Sequence, residues 1–195
     1  MIIIEGSDLV GKTTLAKAII EHGNRNVPGS RLNYGHLGLL PKGWSISDYL
    51  RMIRPWVVQD RWMLSEVVYG AVTRGETFLS EEDQLFLLDR AYAVGALHVV
   101  VTCDETLLRE RYAINARREI FTEAQVVAVN VAFEDYMRSR FMYARPGWIW
   151  VRCDPRSPYP GSQLAAQIAE SYAEIRKHRD LYLGDVNVFN RSCCP

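Results

Sequence analysis

The run Ile2-Ile3-Ile4-Glu5-Gly6-Ser7-Asp8-Leu9-Val10-Gly11-Lys12-Thr13 joins a short apolar segment to a glycine loop, and Thr14-Leu15-Ala16-Lys17-Ala18-Ile19-Ile20 continues it with helical spacing. Strand, loop and helix in that order predict a phosphate-binding turn. Gly6 and Gly11 let the backbone curl so that successive N–H groups point into one concavity, and the helix start adds the positive end of its dipole. The guest that such a concavity suits is a polyphosphate. The spacing G-x-x-x-x-G-K-T is that of a Walker A loop, in which Lys12 reaches the β- and γ-phosphates and the Thr13 hydroxyl ligates a bridging Mg²⁺. The residues expected to wrap the phosphates are Gly6, Ser7, Asp8, Leu9, Val10, Gly11, Lys12, Thr13 and Thr14.

The chain has 195 residues, about one domain's worth, and the expectation is a single domain over 1–195 with its own core. Its formal net charge is zero, so no global field draws it to nucleic acid or to a membrane. Cys103, Cys153, Cys193 and Cys194 form neither C-x-x-C pairs nor a regular framework, and reduced thiols in a cytoplasm are expected. No segment approaches the roughly 18 apolar residues that span a bilayer, and residues 1–20 lack a signal-peptide pattern. The expectation is a cytoplasmic protein, or one of the host cytoplasm if encoded by a phage.

Periodicity and turn residues divide the remainder. Helix one should end near His22-Gly23; Arg31 to Leu37 reads as a second strand; Gly38 to Gly43 is a loop; Ser45 to Arg54 is a capped helix stopped by Pro55. Trp56 to Arg61 reads as a strand ending in a charged pair. Helices follow over Leu64–Val72 and Ser80–Val94 around a loop at Thr73–Thr77. Leu97 to Thr102 is a buried strand, then come helices over Glu105–Tyr112 and Thr122–Arg138, a last strand at Gly147–Val151, a turn at Asp154–Pro158 and a helix over Gly161–Lys177. The tail after Asp180, about 180–195, has little periodicity and reads as an appendage or a covering strand. Strands alternating with helices predict an α/β three-layer P-loop NTPase fold, a parallel sheet of about five strands flanked by helices.

The opening Glu5-Gly6-Ser7-Asp8-Leu9-Val10-Gly11-Lys12-Thr13-Thr14 resembles the E-G-x-D-x-x-G-K-[ST]-T of thymidylate kinases, and Asp60-Arg61-Trp62 resembles their D-R-[YHW]. The run Asp60 to Gly70, with Arg74-Gly75 after it and Gly35-His36-Leu37-Gly38 before it, is similar to the thymidylate-kinase-like proteins of bacteriophages. The resemblance covers roughly residues 1–155. It implies a kinase using ATP and Mg²⁺, with Thr13 and Asp60 at the metal. It places Asp8 beside the acceptor sugar and Arg61 on the acceptor's phosphate, which suits a planar guanidinium. Asp60 has three roles open to it: organising metal-bound water, positioning Arg61, or accepting a proton. A lid over about 112–121 should bring a cation to the transferring phosphoryl group; Arg117 and Arg118 are the first candidates, Arg109 and Arg111 the next. His36, Trp62, Tyr69 and Arg74 are candidate acceptor contacts, and Tyr34, Trp62 and Tyr69 are aromatics able to stack on a base or to fill the core. No Cys/His cluster suggests zinc.

The chain departs from thymidylate kinases after its second strand. Their Phe-Pro-Arg element is replaced by Tyr34-Gly35-His36-Leu37-Gly38-Leu39-Leu40-Pro41-Lys42-Gly43, which has no arginine, and the stretch from Lys12 to Asp60 is shorter. The expectation is a kinase acting on a pyrimidine deoxynucleotide, taking a monophosphate to a diphosphate. The alternative is a kinase for the hydroxymethyl group of 5-hydroxymethyluracil in phage DNA, which makes DNA itself a substrate. Deoxynucleoside kinases are a weaker option, as is a P-loop ATPase or nucleotide switch. The partners expected are thus a nucleotide or modified-base acceptor and no membrane, with a homodimer left open.

Overall fold

A computed structural model describes residues 1–38, 44–139, 147–155 and 161–190 of the chain. Ile2–Glu5 forms β1, Asn33–His36 β2, Val57–Asp60 β3, Leu97–Cys103 β4 and Trp148–Cys153 β5. All pairings are parallel, in the order β2-β3-β1-β4-β5. β1 is therefore hydrogen-bonded on both edges, and every one of its residues is buried. Its side chains alternate between two cores, as period 2 requires. Ile2 and Ile4 join Leu15, Ile19, Val99 and Ile168 on one face, and Ile3 joins Tyr49, Trp62, Met63 and Leu87 on the other.

Helix α1 (Lys12–Asn26) and α7 (Ser162–Asn190) pack on the first face with α5 (Glu105–Asn115). The second face carries α2 (Ile46–Arg51), α3 (Met63–Tyr69), α4 (Glu81–Ala93) and α6 (Glu123–Arg138). Helix, sheet and helix make three layers, the expected P-loop arrangement. The caps follow from the sequence: Ser45, Ser80 and Thr122 each close a capping box with Asp48, Asp83 and Gln125, and Asp104 caps α5. Helix α1 differs. Its cap is Gly11 in a left-handed conformation, no side chain closes it, and no acid sits in its first turn. Its leading N–H groups therefore have no capping side chain.

Several boundaries move. α1 runs to Asn26 rather than Gly23, β5 extends to Cys153, and α5 continues to Asn115 before a 3₁₀ turn at Ala116–Arg118. The expected lid is thus mostly helical. After Tyr69 the helix widens into a π-turn over Gly70–Arg74, so the expected loop begins only at Gly75, whose φ is +77°. The tail correction is larger: α7 continues through Asp180 to Asn190, where an appendage or strand was expected. That segment has no proline, and its single glycine, Gly184, weakens a helix without ending it. The loop expected over 39–43, the turn from 156 onward and residues 191–195 lie outside the described residues. Cys103 and Cys153 are register partners on β4 and β5, both buried free thiols. Among the described residues no helix is long and apolar enough to cross a membrane.

The loop after β1 leaves the sheet under a tight steric limit. Gly6 has φ +144°, and a Cβ there would lie 2.1 Å from the Val101 carbonyl oxygen. Gly6→Ala should therefore cost about 3 kcal/mol or more of stability, read from the urea midpoint. A change below about 0.5 kcal/mol would mean the loop has room to shift.

Candidate functional site

The carboxyl ends of the strands deliver Glu5, His36, Asp60 and Cys103 to one edge of the sheet, where open parallel sheets bind ligands. A cleft of about 330 Å³ opens there, lined by Asp8, Leu9 and Gly11 to Thr14 of the glycine loop together with His36, Asp60, Arg61 and Arg111. Lys12 is buried, and its Nζ donates to the Ser7 carbonyl inside the loop. Burial first, and repulsion from Arg61 second, push its ammonium down to about 8, with Asp8 and Asp60 pulling the other way. Leu9 adopts a left-handed φ of +64°, a strained conformation for a side-chain-bearing residue.

Across the cleft, Asp60 is 1% exposed. Its Oδ2 accepts from Thr13 Oγ1 at 2.7 Å and from the Tyr34 hydroxyl at 2.9 Å, and His36 Nδ1 lies 3.7 Å away. Its Oδ1 is buried and accepts no hydrogen bond. An orphaned carboxylate oxygen beside a threonine hydroxyl at the phosphate cradle fits a divalent cation held jointly by phosphate and water. Among the described residues no group of three or more His, Cys, Asp or Glu is placed to hold a metal without such help. Tyr34, one of the aromatics considered for base stacking, spends its hydroxyl on Asp60 and lays its ring parallel to His36 at 6.3 Å.

Arg61 is the second strained residue lining this cleft, with φ +70°. Its Nη2 pairs with Asp8 Oδ1, and its guanidinium lies 4.9 Å from the centre of the Tyr69 ring. The Tyr69 hydroxyl donates to Asp8 Oδ2 at 2.9 Å. Asp8, Arg61 and Tyr69 thus form one hydrogen-bonded unit at the mouth of the glycine loop. A second cleft of about 360 Å³ starts on its other side, lined by Asp8, His36, Arg61, Arg118, Glu119 and Phe121. The two clefts share Asp8, His36 and Arg61. A narrow notch continues beneath Arg61 toward Glu66, Tyr69 and Arg74, where Arg74 pairs with the buried Glu66 and lies over the Phe78 ring at 4.5 Å.

The other expected contacts divide. Trp62 is wholly buried: its ring packs near Tyr49 and His98, and its Nε1 donates to the Tyr49 carbonyl at 3.2 Å. It is a core residue and not a base platform. Tyr69 is 6% exposed with its ring against Phe121 and Phe133, so only its hydroxyl reaches the site. Arg118 lines the second cleft, while Arg117 is exposed and lines neither. Arg109 is drawn outward to Glu105 and Glu123. Arg111 is the basic residue that α5 carries into the phosphate cleft, where its Nη1 donates to the Leu9 carbonyl at 2.7 Å. Two residues at the site were given no role by the sequence, Glu119 and, though it opens the E-G-x-D motif, Glu5. Glu119 enters the second cleft, where burial and the neighbouring Asp8 raise its carboxyl above the ordinary range. Glu5 lies wholly buried behind Arg61.

No protein-family model matches the chain, and no curated protein matches it in sequence. Among solved structures it is similar to the YorR protein from Bacillus subtilis in complex with phosphorylated GDP, at 17% identity and a TM-score of 0.64, covering 91% of this chain and 97% of that one. It is also similar to the deoxyadenosine kinase from M. mycoides with bound dATP, at 13% identity and a TM-score of 0.50, covering 87% and 97%. These likenesses establish the P-loop fold over nearly the whole of the chain.

The Lys12 ammonium supplies a pH test. Polyphosphate attracts the protonated form, so affinity for a nucleoside triphosphate should be level below about pH 8 and fall about tenfold per unit above it, until the pKa of the complex is reached. Calorimetric titration between about pH 6.5 and about 9.5 checks this; a fall that persists unchanged in Lys12→Met would remove Lys12 from the phosphate contacts.

Proposed function

We propose that this chain is a nucleotide kinase, moving the γ-phosphoryl group of ATP onto a nucleoside-type acceptor with the help of Mg²⁺. The observation that carries this is the plane of Asp8, His36 and Arg61 shared by the two clefts. It puts a phosphate cradle and a second binding space on either side of the same three side chains. An ATPase or switch has no use for the second space. The solved neighbours support the reading, since both hold a nucleotide and one is a kinase.

On the donor side, the glycine-loop amides and Lys12 hold the β- and γ-phosphates, and Arg111 places a second cation against the same loop. Thr13 and the free Oδ1 of Asp60 are the groups that would hold Mg²⁺, which neutralises charge on the phosphates. Arg61 and Arg118 border the acceptor.

The charges of the second cleft bear on the acceptor. Arg61 is committed to Asp8, Arg74 to Glu66, and Arg118 has Glu119 beside it along the wall. A dianionic monophosphate entering there would meet two carboxylates and would have to break the Asp8–Arg61 pair. A neutral hydroxyl meets no such cost. The geometry therefore favours a hydroxyl acceptor, on a deoxynucleoside or on a 5-hydroxymethylated pyrimidine base, over thymidylate. Such an acceptor needs a base. Asp60 spends its Oδ2 on Thr13 and Tyr34, and its Oδ1 would go to Mg²⁺, so the proton falls to Asp8, whose Oδ2 exchanges the Tyr69 hydroxyl for that of the acceptor, as the acceptor oxygen bonds to the γ-phosphorus and the bridge to the β-phosphate breaks. Arg61 holds the Asp8 carboxylate in place.

The test is incubation with γ-labelled ATP and, in parallel, thymidine, dTMP, 5-hydroxymethyl-dUMP and DNA containing 5-hydroxymethyluracil. Label on a hydroxyl acceptor is expected. Label confined to the phosphate of dTMP would restore the thymidylate kinase reading, and ATP hydrolysis with no labelled acceptor would replace both with an ATPase. Asp8→Asn should lower transfer to a hydroxyl by about 100-fold or more, and Lys12→Ala should lower transfer to every acceptor by at least as much.

A further inference from the structure

Glu5 is wholly buried at the end of the central strand, yet no Lys, Arg or His among the described residues lies within ion-pair distance of it. A carboxylate in that position needs donors, and it has three from one segment. Its Oε1 accepts the Trp62 N–H at 3.0 Å and the Leu64 N–H at 3.1 Å, and its Oε2 accepts from the Ser65 hydroxyl. These groups belong to the first turn of α3 and the residue before it. Trp62 supplies no side-chain cap of its own, so Glu5 caps α3 from another element of the fold.

The capped segment begins one residue after Arg61. Arg61 itself is left-handed at φ +70°, a conformation that persists only where its surroundings over-determine it. Three contacts do so. The Arg61 N–H donates to the Ile4 carbonyl at 2.9 Å, Gln59 Nε2 donates to the Arg61 carbonyl at 3.0 Å, and Glu5 seizes the next N–H. Ile4 and Glu5, consecutive on β1, thus grip the backbone on both sides of Arg61. Gly6 follows Glu5 directly, so the residue that fixes Arg61 also opens the phosphate loop. The far end of α3 carries Tyr69, whose hydroxyl completes the unit with Asp8. Resting on the kinase reading above, we infer that Glu5 is a positioning residue: it ties the Arg61 segment to the root of the phosphate loop, so that the Arg61 guanidinium meets Asp8 at the plane between the two clefts.

Burial raises the Glu5 carboxyl to about 7, against the pull of its hydrogen bonds and Lys12. Burial thus brings the uncharged carboxyl within reach near neutrality, and a carboxamide copies that form's hydrogen-bond pattern. Glutamine keeps Oε1 for the two N–H groups and turns Nε2 toward the Ser65 oxygen. Leucine fills the space and accepts nothing.

The test compares Glu5→Gln, Glu5→Leu and Ser65→Ala in the full chain, each alone and combined with Arg61→Ala. Glu5→Gln should stay within about threefold of wild-type turnover, while Glu5→Leu should lose about 30-fold or more in kcat with ATP affinity changed less than about threefold. In the Arg61→Ala background the further loss from Glu5→Leu should shrink to about threefold, because a residue acting through Arg61 has nothing left to position. Ser65→Ala, which removes one of the three donors, should fall between the two and shrink in the same way. Equal losses with and without Arg61 would overturn the inference, as would a Glu5→Gln as slow as Glu5→Leu. Amide hydrogen exchange over residues 61–65 gives a readout independent of activity: faster exchange is expected in Glu5→Leu and wild-type exchange in Glu5→Gln. Unchanged exchange in Glu5→Leu would overturn the inference alone, whereas a wild-type chain that labels no acceptor would overturn the kinase reading and the catalytic role of Glu5 together.

Discussion

β1 is a strand with no free edge and no free face. Parallel neighbours take up its backbone on both sides, and apolar side chains seal it above and below. Backbone polar groups inside such a strand cannot serve a ligand, because each is already paired and water is excluded. The chain becomes available only where β1 stops. It stops at Glu5, and the next residue is a glycine that no larger residue can replace without meeting Val101. The glycine loop, the open N-terminus of α1, the strained Arg61 and the start of α3 all take their positions from that one strand end.

The cleft built there is crowded with charge, and nearly every charge is answered. Lys12, Arg61 and Arg111 face Asp8 and Asp60 within one space. Leaving any of them buried and unpaired would cost several kcal/mol, so the pairs Asp8–Arg61 and Glu66–Arg74 are compensations before they are tools. Surface pairs such as Arg25–Glu21 and Arg51–Asp48, by contrast, are exposed and contribute little. Among the described residues, one buried side-chain acceptor in the cleft has no partner, the Oδ1 of Asp60. Its isolation beside Thr13 is what makes a cation with bound phosphate a natural complement to the protein's own groups.

The glycine loop between β1 and α1 was legible in the sequence because it is local. Its residues are consecutive, and their work depends on backbone shape and on the order strand, loop, helix. That Asp8 and Arg61 belong to one site was legible only through a resemblance, since 53 positions separate them, and their direct pairing was not legible at all. The aromatic residues were ambiguous for a physical reason: a ring at helical spacing fills a core or faces a ligand equally well until a neighbour is in place. Trp62 went to the core against Tyr49 and His98, and Tyr69 went there with only its hydroxyl emerging. The candidate lid cations turned on which face of α5 each occupies. α5 keeps its register through Asn115, so the face that carries Arg111 points at Leu9 while Arg109 points at Glu105 and Glu123. Boundaries shift by a turn because helix ends are decided by what they pack against.

By itself the sequence determined the layer order, the parallel sheet, the glycine loop and the identity of Asp60 and Arg61 as the charged end of a strand, because hydrophobic period, glycine placement and capping residues act over short spans. Tertiary structure alone decided that Glu5 caps a helix of another segment, that Asp8 is held by both Arg61 and Tyr69, and that Glu119 joins Asp8 in the second cleft. Each of those depends on which strand ends lie side by side. Sheet order, not chain order, sets that adjacency, and it brings residues 5, 8, 61 and 119 to one edge of the molecule.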